Sequence, residues 1–549
     1  MNKNIARDRV MHALLERKAA EYGGRTYICY EDKEFSFEDV NKAANRVASG
    51  LQKLGVSKGD KVAVVMDNCP EEIFLVFGLS KLGAVSVLIN VYHKGDILKY
   101  MLDHADCSVL VMHSQYIDRL RVVLPETPKV QSVIVLEKDK AKEDSKVFDG
   151  VEAASAVMDE IRVLGKQAVA WFELVNNDGC YQPVDVLWFD PLMILYTSGT
   201  TGLSKGVLLP QNLLFTMTER FYNWVLEQNL SKEDCIYVPS PLFHAHAWHA
   251  GVNLALLSGA RMALVKRFSA SKYWIDARKY GCTVTTGPGA AVKLLLSAEP
   301  KPDDADNPLR YFLGGQTAER ITEAFERRFG LKQYEFYGST ELGSPTMNSI
   351  SNRKIGACGK RHPDFEIKIV DDNGVEVKVN ETGEILARPL VPYTVLTEYY
   401  KLPEKTVEAW RDLWFHTGDC GFFDEDGYLH FADRKKDSLR RRGENVSSFE
   451  VERIINSHPS VLESAVIGVE GEEIMMCVVL KLGQSISPEE LIDFCGERMA
   501  YFMVPRYVRF MDALPKNDAT QRVEKFKLRE EGITPDTWDR EKSGYKLKR

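Results

Sequence analysis

The alternation of strand-like and helix-like patterns in the first half of the chain limits its fold more than any other feature. Short apolar runs that suit buried strands are separated by runs whose apolar residues recur at helical spacing. The strand-like runs cover residues 61–66, 84–90 and 108–112. The helix-like runs cover residues 36–54, 71–82 and 95–104. Apolar strands that alternate with helices are typical of a largely parallel sheet, so the sequence predicts an α/β domain.

The most apolar stretch, residues 73–91, is not predicted to cross a membrane. Lys81 lies in its middle and two glycines interrupt it, so a helix, a turn and a strand are the better interpretation. The opening residues MNKNIARDRV hold no apolar signal core. The 10 cysteines are scattered without a C-x-x-C pair, which favours reduced, buried thiols. These features predict a cytoplasmic protein with no membrane span.

Charge and length narrow the class of protein further. The chain has 549 residues, with 71 Lys and Arg against 79 Asp and Glu, and a net charge of −8. A general nucleic-acid binder usually has a basic excess, so nucleic acid is not an expected partner. A local basic site for phosphates remains compatible with this charge. The length suits several folding units.

The pattern changes near residue 433, where elements become short and charge becomes dense. Residues 464–469 and 474–481 read as strands, and Ser487 with Glu490 forms a capping-box pattern before a helix that runs to about residue 500. We therefore predict a boundary at 433–436, between a large α/β domain of residues 1–432 and a small α+β domain of residues 437–549.

A loop rich in hydrogen-bond donors follows the apolar strand 192–195. Its two glycines let backbone N–H groups point at an anion, its hydroxyls add donors and its lysine adds positive charge. The residues are Thr197, Ser198, Gly199, Thr200, Thr201, Gly202 and Lys205. A Walker loop is excluded, because the lysine is followed by Gly206 and not by Ser or Thr. The composition predicts a nucleotide phosphate site.

This loop resembles the signature loop of the adenylate-forming superfamily, which contains acyl-CoA synthetases, luciferases and peptide-synthetase adenylation domains. Asp433-Arg-Lys-Lys-Asp437 and Gly443-Glu-Asn-Val-Ser447 are more similar to carnitine/crotonobetaine-type and medium-chain acyl-CoA ligases. The resemblance implies a large adenylation domain for ATP and the acyl substrate, and a small mobile C-terminal domain. It implies a ligase that forms an acyl-adenylate and pyrophosphate from ATP and a carboxylic acid, and then transfers the acyl group to CoA.

The resemblance also implies roles for residues around the nucleotide. Tyr337 and Gly338 match an adenine-binding motif, in which Thr340 bonds the α-phosphate and Glu341 holds Mg²⁺. A second adenine segment is Gly314-Gly315-Gln316. Asp419 would accept the ribose hydroxyls.

In the C-terminal part, Arg434 would support Asp419, Lys436 occupies the hinge position, and Asn445 aligns with a nucleotide contact. Arg440 begins a run of three arginines that ends at Gly443, and this basic run either meets CoA phosphates or is a solvated face.

Pro241-Leu-Phe-His244 resembles the substrate-side motif, in which His244 gates the acyl pocket. His246 and His249 extend a His-x-His-x-x-His pattern that could suggest zinc, but the resemblance implies no metal there. Gly287-Pro288-Gly289 and the region of Gly343 are expected to line the same pocket.

One departure concerns the C-terminal lysine that assists adenylation in the superfamily. Its usual Gly-Lys is replaced by Gln521-Arg522, and either Arg522 or Lys525 could supply the positive charge.

The acid is expected to be small and cyclic, aromatic, carnitine-like or of medium chain length. Two alternatives stay open, an enzyme that loads a carrier protein and a non-catalytic nucleotide-binding relative. A homodimer is also left open.

Overall fold

The structure is a computed structural model of the chain. It describes residues 3–137, 149–197, 204–315, 317–434, 439–441, 444–446, 448–469, 473–499, 503–517 and 523–546.

The helices alternate with strands through most of the chain. They are α1 (Lys3–Asp8), α2 (Met11–Tyr22), α3 (Phe37–Lys53), α4 (Pro70–Leu82), α5 (Gly95–His104), α6 (Ile117–Val123), α7 (Asp149–Val163), α8 (Trp171–Val175), α9 (Gln211–Arg220), α10 (Ala245–Ala247), α11 (Asn253–Ser258), α12 (Tyr273–Tyr280), α13 (Gly289–Ser297), α14 (Glu319–Phe329), α15 (Pro403–Ala409), α16 (Ser448–Ile455), α17 (Pro488–Gly496) and α18 (Lys525–Glu531). Short 3₁₀ turns cover Ser114–Tyr116, Leu124–Glu126 and Arg411–Leu413, and π-helical turns cover Phe221–Val225 and Trp248–Val252.

The strands are β1 (Thr26–Tyr30), β2 (Lys33–Ser36), β3 (Lys61–Val65), β4 (Val85–Leu88), β5 (Cys107–His113), β6 (Ser132–Leu136), β7 (Gln167–Ala170), β8 (Pro191–Thr197), β9 (Lys205–Pro210), β10 (Cys235–Val238), β11 (Arg261–Leu264), β12 (Val284–Gly287), β13 (Tyr311–Gly314), β14 (Lys332–Tyr334), β15 (Phe336–Ser339), β16 (Gly343–Met347), β17 (Lys360–Arg361), β18 (Phe365–Val370), β19 (Gly383–Pro389), β20 (Glu398–Tyr399), β21 (Phe415–Phe423), β22 (Leu429–Arg434), β23 (Leu439–Arg441), β24 (Glu444–Val446), β25 (Val461–Val469), β26 (Glu473–Leu480), β27 (Tyr507–Phe510) and β28 (Trp538–Asp539).

Two sheets with mostly parallel pairs form the centre of the large domain. One has the order β20-β9-β8-β4-β3-β5-β6-β7, in which only β8–β9 and β9–β20 pair antiparallel. The other has the order β14-β13-β12-β10-β11-β1-β2, with β2 as an antiparallel edge. Central strands such as β3 and β4 are rich in valine and buried, as expected for strands that are covered on both faces. The predicted α/β class is confirmed.

Asn68 joins the two sheets. It follows β3, is 3% exposed, and donates from its side-chain amide to the carbonyls of Ser240 and Val265, both at 3.0 Å. Its amide oxygen accepts the backbone N–H of Leu242 at 2.8 Å. A buried amide with these partners is well satisfied. It therefore ties the end of β3 to the segment that carries the predicted substrate motif.

Antiparallel strands carry the remaining nucleotide motifs. The hairpin β15-β16 extends to β17, and a separate sheet has the order β18-β19-β21-β22. Tyr337 lies in β15 and Asp419 in β21, so the two predicted nucleoside residues come from different sheets.

The C-terminal part has its own core. The sheet β25-β26-β27-β28 is covered by α16, α17 and α18, and Val466, Val478 and Leu491 are fully buried there. The capping box of Ser487 and Glu490 is confirmed, and α17 ends at Gly496, four residues before the expected end. Residues 435–438 lie outside the described residues, so the boundary at 433–436 stays a prediction.

The predictions for the apolar stretch 73–91 and for the cysteines have different outcomes. Residues 73–91 form most of α4, a turn and β4, as expected. Within the described residues no helix is both long and apolar enough to cross a membrane. The prediction that the cysteines are all buried is wrong. All ten are free thiols, but Cys180 is exposed and Cys420 only half-buried, because each lies outside the apolar core.

Candidate functional site

The predicted phosphate loop connects two antiparallel strands at the edge of the first sheet. Thr197, the last residue of β8, lies opposite Lys205, the first residue of β9. The hydroxyl of Tyr100 on α5 donates to the carbonyl of Ser204 at 3.1 Å, which ties the end of the loop to a neighbouring helix. The other predicted loop residues are Ser198, Gly199, Thr200, Thr201 and Gly202, and they lie outside the described residues.

Lys205 and Glu341 meet at one tyrosine that the sequence did not indicate. The Lys205 ammonium lies 4.0 Å from the ring centroid of Tyr399, and the Tyr399 hydroxyl donates to Glu341 Oε1 at 2.9 Å. Tyr399 is 3% exposed. Burial and the Glu341 carboxylate raise the pKa of its phenol, so it stays protonated and donates. The predicted lysine and the predicted metal ligand are therefore neighbours.

The surroundings of Glu341 fit a magnesium ion that is shared with a nucleotide. Glu341 is half-buried and follows the half-buried Thr340 in the turn between β15 and β16. No group of three acidic, His or Cys side chains that could hold a metal occurs within the described residues. Mg²⁺ is usually bound by one or two carboxylates together with substrate phosphates, so a single carboxylate near Lys205 is a suitable donor set.

Glycines allow two close backbone approaches at this site. Gly314 has φ +121°, and a Cβ built there would lie 2.3 Å from the carbonyl oxygen of Gly287 on the adjacent strand. A Cβ on Gly338 would lie 2.1 Å from the carbonyl oxygen of Gly343. Neither position accepts a side chain without a backbone shift. Gly315 also has a positive φ of 74°, and Gln316 lies outside the described residues.

Tyr337 and Asp419 contact each other directly. The Tyr337 hydroxyl donates to Asp419 Oδ2 at 2.8 Å, and the ring is only 2% exposed. Asp419 also lies opposite Arg434 in the β21–β22 pair, and only the backbone of Arg434 is described. The structure therefore brings the predicted adenine and ribose motifs together.

A buried carboxyl group lies behind the glycine segment, and sequence analysis missed it. Glu335 is 5% exposed, and its Oε1 accepts from Thr322 Oγ1 and Gln333 Nε2, both at 3.0 Å. A Cβ on Gly315 would lie 2.5 Å from that Gln333 amide nitrogen, so the network supports the glycine turn. Burial raises the pKa of Glu335 to about 8. No local pattern reveals a buried Glu, because its partners come from other elements.

The predicted acyl-side histidines pack among aromatic rings. His249 is 7% exposed and stacks on Phe221 at 5.3 Å, and His246 stacks on Phe336 at 5.5 Å. Phe221 and His249 both lie in π-helical turns, which often mark functional sites. His246 Nε2 also contacts the Thr286 hydroxyl. His244 precedes α10, half-buried, and its ring lies 4.8 Å from the Phe243 ring.

Burial and the neighbouring His244 lower the pKa of His246 to about 4, and burial and His246 lower that of His249 well below its ordinary value. These imidazoles are therefore neutral at pH 7. Sequence analysis named the histidines but not Phe221 or Phe336, which carry no local signal.

The C-terminal predictions are only partly covered by the described residues. Arg440 and Asn445 lie opposite each other in the β23–β24 hairpin, and their side chains are not described. Lys436, Gly443 and Arg522 lie outside the described residues. Lys525 is engaged within the C-terminal domain, because its ammonium lies 2.8 Å from Glu452 Oε1 and donates to Ser448 Oγ at 2.5 Å.

Comparison with protein families identifies both parts of the chain. Residues 15–400 match the AMP-binding enzyme family, and residues 450–520 match the AMP-binding enzyme C-terminal domain. The chain belongs to the AMP-binding enzyme family. The predicted adenylate-forming superfamily is thereby confirmed.

Relatives agree with this membership over nearly the whole length of the chain. A crotonobetaine/carnitine–CoA ligase from Salmonella paratyphi A is 32% identical over 527 residues, which cover 92% of this chain and 96% of the relative. The anthranilate CoA ligase AuaEII, solved in complex with anthranoyl-AMP, is 25% identical with a TM-score of 0.84 and covers 95% of this chain and 97% of its own. ATP-bound MatB from Rhodopseudomonas palustris is 25% identical, with a TM-score of 0.81, and the match covers 95% of this chain and 98% of MatB. The predicted resemblance to carnitine/crotonobetaine-type ligases is confirmed.

Proposed function

We infer that this chain is an AMP-forming acyl-CoA ligase that uses ATP and CoA as co-substrates. The observation that carries this conclusion is the match of both family domains, together with the CoA ligases among the relatives. The predicted reaction class is confirmed at this level. The roles of individual residues and the identity of the acid are our proposals.

The phosphate side of the site rests on Lys205, Thr340 and Glu341. In the proposed mechanism Lys205 neutralises charge on the triphosphate and the Thr340 hydroxyl donates to the α-phosphate. Glu341 would hold Mg²⁺, which screens phosphate charge when bound. The acid carboxylate attacks the α-phosphorus and pyrophosphate leaves. The proximity of Lys205 and Glu341 at Tyr399 supports a shared phosphate and metal site.

The nucleoside side rests on Tyr337, Asp419 and the glycine segment at 314–315. The Tyr337 hydroxyl orients the Asp419 carboxylate, whose remaining lone pairs can accept the ribose hydroxyls. The flat backbone surface at Gly314 suits an adenine ring, and Gly338 and Gln316 are proposed to contact the nucleotide as well. Arg434 and Asn445 are proposed to support the nucleotide from the C-terminal side.

The acid is proposed to be small and cyclic, aromatic, carnitine-like or of medium chain length. The neutral imidazoles of His246 and His249 and the rings of Phe221 and Phe336 supply a polarisable surface that suits a ring, and aromatic faces also attract a quaternary amine. His244 would gate this pocket, which Gly287, Gly289 and Gly343 would also line.

The C-terminal cation is proposed to be Arg522. The ion pair of Lys525 with Glu452 supports this choice, because a lysine held by an internal carboxylate is less available to a phosphate. Lys436 would act as the hinge between residues 1–432 and a mobile domain of residues 437–549. Arg440 and Gly443 are proposed to meet CoA phosphates.

Pyrophosphate release from ATP across a panel of acids, with and without CoA, tests the function. The panel pairs each ring acid with an analogue that carries a trimethylammonium group, and includes carnitine, crotonobetaine and amino acids. We expect release with one acid class, continuous turnover only with CoA, and a thioester of the corresponding mass. Release that stalls and never yields a thioester would favour a carrier-protein partner. No release with any acid would favour a non-catalytic nucleotide-binding protein. Light scattering on the same sample tests whether the chain forms a homodimer.

A further inference from the structure

Tyr399 lies between the two residues to which the proposed function assigns phosphate and metal. One face of its ring meets the Lys205 ammonium at 4.0 Å, and its hydroxyl donates to Glu341 Oε1 at 2.9 Å. The two charged groups are thus separated by a neutral phenol. A hydrogen bond to a carboxylate is roughly twice as strong as a neutral one, and an ammonium over an aromatic face is also attracted.

The backbone around Tyr399 is attached to the same two segments. In the β20–β9 pair, Tyr399 lies opposite Val207, two residues after Lys205, and the N–H of Tyr400 donates to the carbonyl of Gly206 at 2.8 Å. On the other side, the N–H of Leu396 donates to the carbonyl of Glu341 at 2.7 Å. This short strand therefore connects the exit of the phosphate loop with the turn that carries Glu341.

We propose that Tyr399 is a positioning residue that holds the Lys205 ammonium and the Glu341 carboxylate apart and correctly oriented before MgATP binds. The proposal rests on the proposed function for the roles of those two residues. Its hydroxyl occupies one carboxylate oxygen and leaves Oε2 for the cation. Its ring keeps the ammonium from moving onto the carboxylate, where the two charges would neutralise each other. Burial then preserves this arrangement in the empty site.

Two substitutions separate the two contacts. Tyr399→Phe keeps the ring under Lys205 and removes only the hydroxyl that bonds Glu341. Tyr399→Leu removes both. The matched control is Tyr400→Phe, because the adjacent Tyr400 hydroxyl donates to a different carboxylate, Asp106, at the same 2.9 Å. Binding of ATP to the full-length protein is measured by calorimetry, with Mg²⁺ and with EDTA, so neither the acid nor CoA is needed.

We expect Tyr399→Phe to weaken MgATP binding about tenfold while magnesium-free ATP binds as in the wild type. Tyr399→Leu should weaken both, and Tyr400→Phe neither. In a protein that already carries Glu341→Gln, Tyr399→Phe should not weaken MgATP binding further, because the hydroxyl acts through that carboxylate. Wild-type affinity of Tyr399→Phe for MgATP, or full additivity with Glu341→Gln, would overturn the role of Tyr399 alone. A wild-type protein that binds no MgATP would overturn the proposed function together with this inference. If the wild type and the variants bind MgATP as expected but no acid yields a thioester, only the ligase reaction would be overturned.

Discussion

The hydroxyl of Tyr337 donates to the Asp419 carboxylate at 2.8 Å and connects two sheets at the proposed nucleoside site. Burial, with the Asp419 charge next, raises the pKa of Tyr337 well above its ordinary value, so the phenol remains a donor across the physiological range. The aspartate is therefore oriented before a ribose arrives. Orientation of this kind lowers the cost of binding, because less freedom is lost with the ligand.

Asp419→Asn should raise the Kd for ATP about tenfold. The carboxylate has two acceptor oxygens, one for Tyr337 and one for the ribose, whereas the amide has only one. Calorimetric titration of ATP measures the effect. Asp426→Asn is the control, because Asp426 is an exposed carboxylate in the turn after the same strand and pairs only with Lys354 in the described contacts. Equal affinities of Asp419→Asn and Asp426→Asn would exclude Asp419 from the nucleotide site.

Gly314→Ala should destabilise the protein by about 2–4 kcal/mol, because the added methyl meets the Gly287 carbonyl oxygen and the backbone has φ +121°. Chemical denaturation measures the loss. Gly374→Ala separates the two causes, since Gly374 also has a positive φ of 79° but no atom within 4 Å of its added Cβ. A similar loss at both positions would mean that backbone strain alone matters and that the close approach at Gly314 does not.

Glu335 should make stability fall between about pH 4.5 and pH 8. Its pKa in the folded state is raised to about 8 from 4.5, so over this range the unfolded chain loses a proton that the folded protein keeps. The contribution is fully present below pH 4.5 and is lost as the pH rises to 8. Glu335→Gln removes the titration. The difference in melting temperature between the variant and the wild type should grow in favour of the variant from pH 5 to pH 8, and a constant difference would contradict the raised pKa.

Arg522 and Lys525 should respond differently to truncation. Arg522→Ala should slow acyl-adenylate formation more than thioester formation from supplied adenylate, because the missing charge acts on the triphosphate. Lys525→Ala should lower the free energy of unfolding by about 1–3 kcal/mol, since Glu452 loses one of its partners while it keeps the Val466 N–H, and should change the first step little. Rapid-quench assays of both half-reactions measure the rates. A larger loss of adenylation in Lys525→Ala would transfer the role to Lys525.

Local hydrogen bonds explain which secondary structure was predictable. The capping boxes Ser36–Asp39 and Ser487–Glu490 join residues three apart, and they lie at the starts of α3 and α17. The end of α17 was less predictable, because helix ends depend on packing as well as on local pattern. The exposure of Cys180 was not predictable either, since composition says nothing of where one residue lies on a surface.

The sequence by itself determined the α/β class, the family and the motif residues, because periodicity and short motifs are local properties of a chain. Only the tertiary structure decided that Tyr399 meets both Lys205 and Glu341, that Glu335 is buried among three donors, and that Phe221 lies against His249. These contacts join residues that are mostly distant along the chain. Strand order and helix packing bring them together, and burial then sets the charge states on which the proposed chemistry depends.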